Sequence, residues 1–118
     1  MKLLITMNAV QNIPEVSKEV FEALLLIYAS HTDLEFSKVD KSQIVTSFGY
    51  DTYESANQLF GKLREYELLR SICDLRQLYY PGTEGKNQIL GMVKTHFKVD
   101  GDFSKLERTQ FDFLKMML

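Results

Sequence analysis

Ser55, Asn57, Gln58 and Lys62 fall close together in the run ESANQLFGK, and their shared chemistry is hydrogen bonding to flat partners met edge-on. An Asn or Gln amide can pair with an adenine edge through two hydrogen bonds, a serine hydroxyl serves either kind of base, and Lys reaches guanine or phosphate. At about one hundred degrees per residue these side chains share one side of a helix with Glu54, Gly61 and Glu65. The opposite side carries Thr52, Ala56, Leu59, Phe60 and Leu63, a stripe suited to a core. The polar face is compatible with base reading in a major groove and equally with an ordinary solvated helix.

The elements around this run must position it. Asp40 can cap a short helix, Lys41 to Phe48, with Gln43 reaching back in the manner of a capping box. Gly49 closes that helix, because glycine alone adopts a left-handed conformation without strain. Asp51 then caps the second helix, with Glu54 at the answering position. Two helices so tightly joined form a helix-turn-helix. Upstream, Pro14 suits a first helical turn, and Glu15 to Ser30 is apolar around most of its girth, the pattern of a buried central helix. Lys2 to Val10 is apolar and β-permissive, either a short strand or an arm on a neighbour. Glu35 and Phe36 can form one further short strand, and His31 and Asp33 lie in a turn as capping or solvated groups.

Downstream, Leu68 to Tyr80 and Asn87 to Phe97 are expected to be strands, with the loop PGTEGK between them. Arg70, Arg76, Lys86, Lys94 and Lys98 outnumber Asp74 and Glu84 in this hairpin. Its tip, with Lys86 and Asn87, could meet phosphates or the minor groove, or could be an ordinary surface loop. Arg64, Lys86 and Lys94 are the candidate phosphate contacts.

Helix, short strand, two-helix turn and hairpin in that order resemble the winged-helix DNA-binding proteins. The resemblance spans Val16 to Phe97 and is carried by SANQLFGKLREYELLRSI, similar to their reading helix and entry to the wing. LRQLYYPGTEGKNQILGMVKTHF looks somewhat like the wing of plasmid and phage replication initiators or of small bacterial and viral regulators. The resemblance implies an α+β, mostly helical fold: a three-helix core with a β-hairpin wing over residues 11–97, and an additional C-terminal helix over 102–118. It also implies binding of double-stranded DNA in transcription regulation or replication. The sequence departs from that pattern in its acidic balance, in Glu54 and Glu65 on the reading face, and in lacking a second initiator domain.

Composition sets the outer bounds. The chain has 118 residues, 45% of them hydrophobic and 25% charged, which suits one domain with one core. Fourteen basic against sixteen acidic residues give a net charge of −2, where a DNA-binding protein more often shows a basic excess. One cysteine excludes an internal disulfide, and two distant histidines offer no metal-ligand spacing, so no metal or cofactor is expected. The opening MKLLITMNAV is too short for a signal peptide, and no apolar run approaches a membrane span, which points to the cytoplasm.

The tail is expected to form a helix capped at Asp102 or Ser104. Its apolar residues, Phe103, Leu106, Phe111, Phe113, Leu114 and Met117, are expected to seam a symmetric homodimer, the alternative being that they complete the monomer core. Catalysis is not expected: Cys73 lacks a nearby histidine, Tyr79 and Tyr80 are as suited to a core as to base stacking, and GTEGK lacks the spacing of a nucleotide loop. The alternative to DNA binding is a protein-interaction module, favoured by the acidic balance and the greasy tail.

Overall fold

Six helices and no strand make up the described residues 16–31, 38–97 and 105–118 of the computed structural model. Ser17 starts the first of them, α1 (Lys18–Ser30), because its hydroxyl accepts the Val20 amide hydrogen at 3.1 Å and satisfies one donor of the opening turn. The sequence from Phe21 onward leaves α1 almost no polar side, and the fold answers by surrounding it. Phe21, Leu24, Leu25 and Ile27 are fully buried, and all five other helices pack on α1. His31 ends it, donating from Nδ1 to the Ile27 carbonyl at 2.7 Å, the capping role expected of it.

Next come α2 (Lys38–Phe48) and α3 (Tyr50–Lys62), separated by Gly49 alone. Gly49 has φ 92, donates its amide hydrogen to Val45 and accepts from Tyr53, so one residue closes α2 and opens α3. A side chain would strain that backbone. The two aspartate caps are not formed. Because α2 begins at Lys38, Asp40 lies in its first turn, and because Tyr50 is already helical, so does Asp51 in α3. The acidic side chains still suit the positive end of each helix.

The winged-helix expectation is overturned from Glu65 onward. Where two strands and a wing were expected, the chain forms α4 (Glu65–Tyr79) and α5 (Gly82–Phe97). Leu68, Ile72, Leu75 and Arg76 are buried along α4, and Ile89, Leu90, Val93, His96 and Phe97 along α5. Those steps of three and four residues are helical periodicity, and they outweigh the aromatic and β-branched composition that suggested strands. PGTEGK is not a hairpin loop: Pro81 stands before α5, and Gly82, with φ 76, turns the chain into it. The fold is therefore all-helical over the described residues, not α+β.

The last helix, α6 (Lys105–Met117), packs on α1 and α5. Leu114 and Leu118 enter the core and Phe111 lies against it, so the tail completes the core of the monomer at these positions. The expected strand or arm at Lys2 to Val10, the strand at Glu35 and Phe36, the caps at Asp102 and Ser104, and Phe103 lie outside the described residues, as does the side chain of Leu106. None of the described helices is long and apolar enough to cross a membrane.

Candidate functional site

On α3, the buried side is Tyr53 and Ala56, with Leu59 and Phe60 half-buried against the core. That face sits on α1, the most extensive contact among the described helices. Ser55, Gln58 and Lys62 are consequently exposed on the other side, whereas Asn57, about 200° round the helix from Ser55, is half-buried, so three of the four expected residues share the outward surface. Arg64, just beyond the helix, is exposed as well. Acidic groups border the same region: Asp51 and Glu65 are exposed, Glu54 accepts from the Tyr50 hydroxyl at 3.4 Å, and Glu67 accepts from the Arg64 amide at 2.9 Å.

The remaining candidates are not brought beside α3. Lys86, Asn87 and Lys94 lie along α5, which packs on α1, α4 and α6. Lys86 borders a separate cavity with Arg76, Thr83 and Leu118, while Asn87 and Lys94 face solvent. Their assignment to a wing falls with the hairpin. Arg76, expected on the wing surface, is instead buried at the α4–α5 corner. Its guanidinium donates to the carbonyls of Tyr80 and Gly82, both at 3.1 Å, and to the backbone oxygen of Leu118. Tyr79 and Tyr80 take the core alternative. Both rings lie about 6 Å from Phe21, and their hydroxyls donate to the Val16 carbonyl and the Glu22 carboxylate. Burial and the Glu22 bond push the Tyr80 pKa up to about 12.

One cluster has no counterpart among the sequence expectations. His96 is buried with its Nε2 2.7 Å from the Ser30 hydroxyl and 3.3 Å from an Asp40 carboxylate oxygen, tying the ends of α1 and α5 to the start of α2. These three residue types suggest a hydrolytic relay, but the relay needs hydroxyl and carboxylate on opposite ring nitrogens. Here both meet the same one, an arrangement suited to holding three helices together. Only the Asp40 position, at the start of an expected helix, carried any signal; the contact itself joins residues distant in sequence.

Cys73 is half-buried, and burial followed by the negative charge of Asp74 pushes its thiol pKa up against the opposing pull of Arg76, so the reactive thiolate is disfavoured. Among the described residues no group of three or more histidine, cysteine or acidic side chains could hold a metal ion. Compared with protein-family models, curated proteins and solved structures, the chain finds no match in any of the three.

Proposed function

We propose that the chain is a sequence-specific double-stranded DNA-binding protein that presents α3 to the major groove, acting in transcription regulation or replication in the cytoplasm. The observation that supports this is the division of α3 into a face held on α1 and an exposed face carrying Ser55, Gln58 and Lys62. A wing is not needed for such docking, since all-helical helix-turn-helix domains place one helix in the groove and let its neighbour cross the backbone. Arg64 supplies a phosphate contact; Lys86, Asn87 and Lys94 have no part in it.

A gel-shift series on a library of duplexes, at low and moderate salt, tests the reading. For the selected sequence, Gln58→Ala should cost about 1–3 kcal/mol and relax the preference at one base pair, whereas Arg64→Ala should weaken all sequences alike and lower the salt slope by about 1. Absence of binding to any duplex at low salt would remove the reading.

A second reading, a helical module that docks on another protein, is favoured by one observation: Asp51, Glu54 and Glu65 interrupt the positive charge around α3. In either case a pair of subunits would strengthen binding, and α6 offers Met116, 74% exposed, and Met117, 40% exposed, as the surface left for it. A symmetric homodimer seamed there should appear in light scattering at tens of micromolar and be lost in Met116→Lys. A monomer at that concentration would exclude it.

A further inference from the structure

A cavity of about 520 Å³ opens where α1, α3, α4 and α6 meet, within the range of small-molecule sites. Phe60, Leu63 and Leu68 form its apolar wall, and the His31 ring, stacked on Phe60 at 4.3 Å between centroids, holds that wall in place. Three groups bring polar atoms to the same space. Tyr28 lines the cavity, and its hydroxyl has no hydrogen-bond partner among the described residues. Glu65 has no ion-pair partner among them either, and Gln110 reaches in from α6. Among the described lining residues Glu65 is the one carboxylate and no lysine or arginine offsets it, so it gives this side of the cavity a negative charge.

We propose that this cavity binds a small organic cation, its apolar or aromatic body against Phe60, Leu63 and Leu68 and its ammonium group between the Glu65 carboxylate and the Tyr28 hydroxyl. Each part follows from a lining group: the hydrocarbon wall removes apolar surface from water, the carboxylate accepts a charge-assisted hydrogen bond, and the neighbouring rings offer their negative faces to the cation. Burial, and then the negative charge of Glu65, raise the Tyr28 pKa, so its oxygen remains a neutral phenol that can accept from the ammonium group. The site goes beyond the DNA-binding reading and does not depend on it.

Isothermal titration of the full chain at neutral pH with benzylamine, benzyl alcohol and benzoate separates the contributions, since the three share one ring and differ in charge. Benzylamine should bind saturably and about tenfold tighter than benzyl alcohol, with benzoate weakest. Glu65→Gln, at an exposed position that leaves the core untouched, should bring benzylamine down to the level of benzyl alcohol. Tyr28→Phe, which keeps the buried ring, should weaken benzylamine a few-fold. Equal affinity for benzylamine and benzyl alcohol, undiminished benzylamine binding by Glu65→Gln, or no saturable benzylamine binding would each overturn the proposal.

Discussion

Gly85→Ala should destabilise the protein by more than about 3 kcal/mol, at the upper end of what overpacking a well-filled site costs. Gly85 is buried in the first turn of α5, and a Cβ there would collide with the carbonyl oxygen and carbonyl carbon of Tyr80. No flexible side chain can yield, because the obstructing atoms are backbone. That backbone is held from two directions: Pro81 fixes the following torsion, and the buried Arg76 guanidinium grips the carbonyls of Tyr80 and Gly82. Gly91 is the internal comparison. It lies on the same helix, is exposed, and has open space within 4 Å of where a Cβ would stand, so Gly91→Ala should gain about 0.5–1 kcal/mol from helix propensity alone. Urea melts of the two variants decide the matter, and near-equal midpoints would show that α4 and α5 do not meet at this corner.

Phe21→Ala should cost about 3–5 kcal/mol, the usual loss for removing a fully buried aromatic ring. Phe21 is 0% exposed and has the rings of Tyr79 and Tyr80 about 6 Å away. Those two tyrosines are tied in turn to Val16 and Glu22, so the pocket cannot readily collapse around the vacancy. Against a total stability of about 5–15 kcal/mol, such a loss leaves a marginal fold. Leu78→Ala, at a site 65% exposed, should change stability by no more than about 0.5 kcal/mol. A Phe21→Ala variant that melts with the parent would contradict the central placing of α1.

The sequence is most legible where one periodicity stands without competition. The apolar girth of α1 announces a buried centre, Gly49 announces the break between α2 and α3, and the polar and apolar sides of α3 separate as their spacing requires. Tyr53 escapes that pattern because a tyrosine facing a core has its hydroxyl to place, and the ring is instead covered partly by the Lys41 ammonium 5.4 Å from its centroid. The region from Glu65 to Phe97 misleads because two signals conflict: paired tyrosines and a proline–glycine loop point to a hairpin, while Leu68, Ile72 and Leu75 step as a helix. Packing on α1 decides for the helix. The contact of His96 with Ser30 and Asp40, and the cavity beside Tyr28, are beyond local pattern altogether, since each is assembled from helices far apart in the chain.

The enclosure of α1 has a consequence for how the protein must be made. A ribosome releases α1 early, but the side chains that seal it include Ile89, Val93 and Leu114, which follow much later. At about 5–20 residues per second the nascent helix therefore waits on the order of several seconds with its leucines uncovered. During that interval it is a sticky segment in need of shelter. Stalled translation before Leu114 should yield chains that chaperones hold or that aggregate, and the native arrangement should arise in one late step once α6 has cleared the exit tunnel.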